Sequence, residues 1–302
     1  IVPRTHGWRS FVRFLHLAPW GELWAVEDGG SAVVAQDGRW VDRSGGMRSA
    51  GHSVGTLDDG AVWGVVRSPG SPNVVVKLDG TGWMPTMASD IAESLGRGAG
   101  HFDFERTPDG LVWLGIDRGG RQGGIATYDQ SGWTSDVPES GDPPRVLGLT
   151  VGQDGSLWAI ADRKLHHTRP GEYMLLRYHE GMWLAIGPEQ GMPRDEAKAW
   201  TDWDHTVPTI LVVDRDGRVW FSVYGIGLHT FDGSAFRRIE LPGASMGVLD
   251  LDIGPDGQVW AVNGRGTLFV VCHSALDSEH DAAPSMEVAP ADTPGRSSAR
   301  LP

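Results

Sequence analysis

Two histidines stand at matching places in the chain and could bind a metal ion together. His52 and His101 each follow an Ala-Gly pair, and each comes shortly before an Asp-Gly pair. A third histidine, His205, directly follows Asp204. Imidazole nitrogens and carboxylate oxygens bind divalent metals. The sequence therefore suggests a divalent metal site with His52 and His101 as ligands; the other interpretation is that these are polar residues hydrogen-bonded to turns.

The rest of the sequence excludes several classes of function. It contains no Gly-x-Ser-x-Gly elbow, no phosphate-binding loop and no His-Glu-x-x-His pair. The net charge of −13 argues against a nucleic-acid partner, which needs clustered Lys and Arg. No apolar run is long enough to span a membrane. A single cysteine, Cys272, rules out an internal disulfide.

A repeated pentad must position these residues. Asp256-Gly257-Gln258-Val259-Trp260 has counterparts at 59–63, 109–113, 154–158 and 216–220, and a degenerate first copy ends at Trp24. The mean spacing of about 47 residues is typical of propellers and solenoids. Each repeat has a second turn downstream, for example Asp232-Gly233. Asp-Gly between apolar runs predicts hairpins with type I′ turns.

Two hairpins per repeat make four antiparallel strands, which is one propeller blade. The sequence thus predicts an all-β fold, a six-bladed β-propeller. The last repeat has only three apparent strands, and residues 1–8 end in an orphan Trp8. We therefore expect residues 1–8 to add the missing outer strand, although a stub left from a further blade would look the same.

The predicted domains are a propeller over 1–272 and a disordered tail or linker over 273–302, which has almost no large apolar residues. The chain starts at Ile1 and not at Met, so the sequence makes no prediction of localisation. A monomer is expected.

The segment Val213-Asp214-Arg215-Asp216-Gly217-Arg218-Val219-Trp220-Phe221, followed by Gly227-Leu228-His229-Thr230-Phe231-Asp232, resembles two-component regulator propeller repeats. Residues 253–260 look like repeats of virginiamycin B lyase-type propellers, and 62–65 with 79–83 resemble tectonin repeats. These resemblances imply, respectively, a ligand sensor, a metal-assisted lyase with a histidine-centred site, and a sugar-binding lectin. The lyase repeat ending Trp-Phe-Thr-Glu is absent, since Trp260 precedes Ala261-Val262-Asn263.

Function is expected on a rim, because the blades are used for packing and the anchor tryptophans belong to the core. The irregular segments 89–100, 138–144 and 187–207 precede innermost strands and should share one rim. A mixed pocket is predicted there from six residues: His52, His101, Arg145, Trp200, Trp203 and His205. The favoured function is a non-enzymatic sensor that binds a small molecule or a protein. A metal-assisted lyase or hydrolase and a lectin remain alternatives, so the question of an enzyme stays open.

Overall fold

The computed structural model describes residues 12–18, 21–27, 32–36, 39–43, 50–56, 61–66, 74–79, 82–86, 101–117, 123–129, 131–135, 144–162, 172–194, 210–223, 227–241, 248–254, 256–263, 267–271 and 287–288. Within these residues the strands form six antiparallel sheets of four strands each.

Sheets one to three contain twelve strands: β1 (Val12–Leu17), β2 (Leu23–Glu27), β3 (Ala32–Gln36), β4 (Arg39–Asp42), β5 (Ala50–Thr56), β6 (Val62–Val66), β7 (Val74–Asp79), β8 (Gly82–Pro85), β9 (His101–Arg106), β10 (Val112–Asp117), β11 (Gly123–Tyr128) and β12 (Trp133–Ser135). Strands follow chain order within each sheet, as expected for successive hairpins.

Sheets four to six contain the other twelve: β13 (Arg145–Val151), β14 (Leu157–Asp162), β15 (Tyr173–His179), β16 (Met182–Ile186), β17 (Ile210–Val213), β18 (Val219–Val223), β19 (Gly227–Phe231), β20 (Phe236–Arg238), β21 (Val248–Ile253), β22 (Val259–Asn263), β23 (Leu268–Val271) and β24 (Glu287–Val288). A short 3₁₀ helix, Pro188–Gln190, follows β16. Among the described residues no helix has the length and apolar composition needed to cross a membrane.

The first strands of successive sheets contact one another, in the order β1, β5, β9, β13, β17 and β21. They are therefore the innermost strands. We call the edge where these strands begin the connector rim and the edge where they end the turn rim. Turns of neighbouring sheets meet on the turn rim, where Gly155 lies against Pro108 and Gly257 against Arg215.

One turn geometry recurs at five of the repeated pentads. In sheet five the Asp214 N–H donates to the carbonyl of Arg218 (2.9 Å), and the Gly217 N–H donates to the carbonyl of Asp214 (3.0 Å). Gly217 has a positive φ of 79°, whereas Asp216 does not. The predicted type I′ turns are therefore wrong here. A tight turn followed by a glycine bulge is used instead, and this needs positive φ at glycine alone. Glu180 and Gly181 do form a turn with positive φ at both residues.

The repeated tryptophans fill the spaces between sheets. Trp63 packs edge-on against Trp133 of the next sheet, with ring centroids 5.7 Å apart. Trp113 makes the same contact with Trp183, also at 5.7 Å. The predicted core role is confirmed for the tryptophans of sheets two to five, which are all buried. For Trp260 the prediction holds only in part, because this residue is partly exposed.

The sixth sheet differs from its prediction. Its outer strand is β24, where Phe269 pairs with Val288 and Val270 pairs with Glu287. Residues 1–8, predicted in this position, lie outside the described residues. An outer strand needs only backbone hydrogen bonds to the open edge, so a segment without the repeat pattern can supply it. β24 also lies inside the predicted tail; the domain division otherwise stays a prediction.

Candidate functional site

Arg145 is the one residue of the predicted connector-rim pocket whose side chain is described. It begins β13, and its guanidinium lies 3.8 Å from the carboxylate of Asp162, at the end of β14. Both side chains are largely buried. Asp162 also accepts a hydrogen bond from the backbone N–H of Glu172 (3.1 Å). Arg145 and Asp162 thus join three strands of sheet four at this rim.

The two histidines predicted as metal ligands lie on neighbouring innermost strands. His52 is in β5 and His101 is the first residue of β9, and these two strands contact each other. Their side chains, and all of Trp200, Trp203 and His205, lie outside the described residues. In the described part of the chain no three His, Cys, Asp or Glu side chains are grouped to hold a metal. The metal site therefore stays a prediction.

Of two carboxylates on the innermost strands, Asp103 was expected only as a neighbour of His101, and Asp250 was not predicted at all. The two oxygens of Asp103 accept hydrogen bonds from the N–H of Phe104 (3.0 Å) and from that of Leu149 in the next sheet (2.8 Å). Asp250 has the same place relative to its tryptophan and accepts from Leu251 (3.0 Å). Desolvation of the carboxyl raises the pKa of Asp250. The hydrogen bond from Leu251 acts in the opposite direction, and the charge of Asp252 raises the pKa further. The signal was available, since each aspartate lies ten residues before its anchor tryptophan.

A polar cluster on the turn rim has the composition of a catalytic triad. The hydroxyl of Ser156 lies 2.8 Å from Asp154 Oδ2 and 3.0 Å from His179 Nδ1, and it accepts from Arg177 Nε at 3.1 Å. Arg177 also donates to Asp154 at 2.7 Å. Ser156 is completely buried, and its hydroxyl is held by three neighbours. Because Asp154, His179 and Arg177 all engage this hydroxyl, the cluster supports the turn.

Asp154 remains ionised within this cluster. Burial alone would raise the pKa of its carboxyl, but the hydrogen bonds from Ser156 and Arg177 outweigh burial and lower it. Arg177 also lies over the ring of Trp158, 5.4 Å from its centroid. The carboxylate and the indole therefore fix the guanidinium from two sides.

A cavity of about 150 Å³ opens beside this cluster, between sheets four and five on the turn rim. Trp158, Ile186, Val213 and Phe231 form its apolar part. Asp154 and Arg177 lie at its edge. The pocket predicted from the sequence lies on the opposite rim, and this cavity was not predicted.

Comparisons with known proteins agree on the fold. No family model matches the chain, and no curated protein matches it. A streptogramin B lyase structure matches with 14% identity and a TM-score of 0.57, covering 94% of this chain and 84% of that one. The extracellular domain of a putative hybrid two-component system from B. thetaiotaomicron matches with 12% identity and a TM-score of 0.59, covering 95% of this chain. This chain spans only 34% of that larger one.

A third similar structure is YCF48 bound to D1 peptide, with 16% identity and a TM-score of 0.55, covering 87% of this chain and 78% of that one. At these identities the likeness shows the fold alone. The resemblance of the repeats to two-component regulator and virginiamycin B lyase-type propellers is confirmed at that level. The chain therefore has an all-β propeller fold.

Proposed function

We propose that the protein is a non-enzymatic binding propeller, with a small molecule or a protein as its partner on a rim. This proposal rests on the observation that the polar side chains most similar to a catalytic group are used to hold the fold together. Ser156, the hydroxyl that looks most like a nucleophile, is buried and supports a turn. Arg145 is paired within its own sheet. The described sheets thus serve as a scaffold, and rigid scaffolds commonly present function on their rims.

The connector rim is one proposed binding face, as the sequence indicates. His52 and His101 lie on adjacent innermost strands that begin there. The segments before β9, β13 and β17 are the long ones of the repeat, and long inserts on one face of a repeat often form its binding surface. Trp200, Trp203 and His205 in the longest of them would supply aromatic walls and a third imidazole.

The alternatives have less support. A lectin that bound sugar through the repeated tryptophans would need their rings exposed, whereas Trp63, Trp113 and Trp220 are buried between sheets. The likeness to a streptogramin B lyase extends to the fold and does not carry catalysis with it.

The sheets are further proposed to close into a ring of six. Asp103 of sheet three bridges to Leu149 of sheet four, and Asp250 has the equivalent position in sheet six. In a six-sheet ring the next sheet is sheet one. There the counterpart of Leu149 is Leu15, nine residues before Trp24 as Leu149 is before Trp158. A bridge from Asp250 to the Leu15 N–H would close the ring.

The binding proposal is tested by thermal shift with defined probes. Wild-type protein, His52→Ala/His101→Ala and a control His273→Ala/His280→Ala are titrated with zinc and manganese chlorides, neutral oligosaccharides and a peptide panel. The control removes the same number of imidazoles from the C-terminal segment. A probe that raises the melting temperature of wild type and control, but not of the first variant, supports the rim site. Equal shifts in all three proteins reject it, and conversion of any probe to product rejects the non-enzymatic proposal.

A further inference from the structure

The cavity between sheets four and five has a specific origin in the sequence. In the spaces between sheets two and three and between sheets three and four, the anchor tryptophan packs against two aromatic residues of the following sheet. Trp113 packs against Tyr178 at 4.6 Å and Trp183 at 5.7 Å. In the next space Trp158 meets Phe231 at 6.3 Å, and the second position is Phe236. Phenylalanine is smaller than Tyr or Trp, so this space is left incompletely filled.

The strand beside the cavity exposes large apolar side chains. Met182 and Leu184 of β16 are 69% and 54% exposed. They share one face of the strand with Ile186, which lines the cavity. The positions that correspond to Leu184 in sheets three and five are Thr134 and Arg237.

Among the described strands, β16 is also the outermost one of its sheet. Native edge strands usually carry charge or are covered, because an open apolar edge attracts another strand. An apolar edge strand above a preformed cavity is therefore suited to an extended peptide, which can add its backbone to the edge and place one side chain in the cavity.

The charges around the cavity select the peptide. Asp154 at the edge is neutralised by Arg177 (2.7 Å). Asp232 adjoins Gly233, which lines the cavity, and Glu180 lies two residues before Met182; both acids are exposed. Hydrogen bonds from Ala235 and Ser234 lower the pKa of Asp232 to about 2, with a small contribution from Arg237, so its charge persists at any physiological pH. With a net charge of −13 for the chain, a cationic partner is favoured.

We propose that Met182, Leu184 and the cavity between sheets four and five, together named the Leu184 groove, bind an extended peptide in which one large apolar side chain lies next to Lys or Arg. The apolar side chain enters the cavity, where a volume of about 150 Å³ accepts a group the size of a benzene ring. The basic side chain reaches Asp232 or Glu180. This groove is on the turn rim, opposite the rim of the proposed function, so either proposal can fail alone.

The test uses three fluorescein-labelled heptapeptides with the central sequences Lys-Leu-Lys, Lys-Ala-Lys and Glu-Leu-Glu, flanked by Gly and Ser. Fluorescence anisotropy is followed as the full-length protein is titrated to its highest soluble concentration. The Lys-Leu-Lys peptide is expected to bind at least about tenfold more tightly than the other two. Its affinity should fall as salt is added, because exposed charge pairs are screened.

Variants locate the binding surface. Phe236 packs on Phe231 of the cavity wall, with ring centroids 4.6 Å apart. Phe236→Trp introduces the larger ring found at this position in sheets three and four and is expected to reduce the cavity. Leu184→Thr introduces the residue of the corresponding position in sheet three. Each variant should bind the Lys-Leu-Lys peptide about tenfold more weakly than wild type does, or weaker still. Met84→Thr, at the same exposed strand position in sheet two, is the matched control and should bind as wild type does. Melting temperatures confirm that the variants are folded. The Phe236→Trp variant should melt no lower than the wild-type protein.

Three results would overturn the proposal. The first is the absence of binding by all three peptides. The second is equal affinity for the Lys-Leu-Lys and Glu-Leu-Glu peptides, which would remove the charge selection. The third is unchanged affinity in both Phe236→Trp and Leu184→Thr, which would place the peptide elsewhere.

Discussion

The carboxylate of Asp214 accepts a hydrogen bond of 2.7 Å from the indole Nε1 of Trp220, and both residues are completely buried. The other oxygen of Asp214 accepts from the backbone N–H groups of Asp216 (3.0 Å) and Arg218 (2.9 Å). One side chain thus fixes both the turn on the rim and the tryptophan between sheets five and six. Thr107 plays the corresponding role in sheet three, where its hydroxyl accepts from Trp113 Nε1 at 2.8 Å.

Replacing Asp214 should destabilise the protein according to how many of these hydrogen bonds remain. Asp214→Ala leaves the indole and two backbone donors without their acceptor and should cost about 3 kcal/mol of unfolding free energy. Asp214→Thr copies the residue of sheet three, keeps an acceptor for the indole and should cost less. Urea denaturation of both variants measures the difference. Equal stabilities for the two would contradict the role of the indole hydrogen bond.

Sheet one lacks this acceptor and can be improved. Ala18 has the turn position of Asp214 and Thr107, with the same backbone hydrogen bonds to Glu22 and Gly21. Among the residues that the structure describes, the buried indole Nε1 of Trp24 has no hydrogen-bond partner. Ala18→Thr should supply one and raise the unfolding free energy by about 1 kcal/mol. Ala18→Val has the same shape without the oxygen, so a gain in both variants would assign the effect to packing.

The repeat made most of the fold predictable because each Asp-Gly turn and each anchor tryptophan has a fixed place in the sheet. In sheet five, for example, the apolar run before the turn at Asp216-Gly217 forms the strand Ile210–Val213. The turn type was less predictable, since Asp-Gly suits both a type I′ turn and a bulged turn, and only the loop length decides between them. β24 could not be predicted, because two residues of backbone pairing leave no pattern in the side chains.

The candidate sites were harder to predict for a different reason. The cavity beside Trp158 is attributed to Phe231 and Phe236, which stand where sheets three and four have Tyr and Trp, and this comparison requires the register of the strands. The bridge from Asp103 to Leu149 joins residues 46 positions apart. Periodicity shows which residues share a position in the repeat, but it does not show which neighbouring sheet they contact.

Removal of β24 should destabilise the sixth sheet. A chain ending at residue 286 loses the pairing to Phe269 and Val270 and exposes the edge of β23, at a cost of about 1–2 kcal/mol. A chain ending at residue 288 keeps the strand and is the control. Melting temperatures of the two truncated proteins and the full chain provide the test. If the chain ending at residue 286 has the same melting temperature as the chain ending at residue 288, β24 contributes nothing to stability.

Ring closure makes a prediction for two equivalent aspartates. If Asp250 reaches sheet one as Asp103 reaches sheet four, Asp250→Ala and Asp103→Ala should both lower the melting temperature, because each leaves backbone N–H groups unpaired. In an open ring Asp250→Ala would lose only the hydrogen bond from Leu251 and should be less harmful than Asp103→Ala. Asp250→Asn retains an acceptor oxygen and should be milder than Asp250→Ala. The test compares the melting temperatures of the three variants at neutral pH.

His229 should make stability depend on pH. Its imidazole is stacked on Phe221, with ring centroids 5.7 Å apart, and is nearly inaccessible to solvent. Burial lowers the pKa of His229 below 6.5, opposed by the carbonyl of Gly227; Arg238 lowers it further and Glu240 raises it. The folded state therefore prefers the neutral ring, while the unfolded chain takes up a proton at its ordinary pKa.

The sign of the effect follows from that difference. The stability due to a neutral His229 is fully present above the unfolded pKa of 6.5 and is lost as the pH falls from there through the lower folded pKa. His229→Phe keeps the ring stacking and cannot titrate, so its unfolding free energy should fall less than that of wild type between about pH 7.5 and about pH 5.5. Urea unfolding at both pH values measures each slope. His273→Ala/His280→Ala, which removes two histidines of the C-terminal segment, should keep the wild-type slope. Identical slopes for His229→Phe and wild type would show that burial does not disfavour the charged ring.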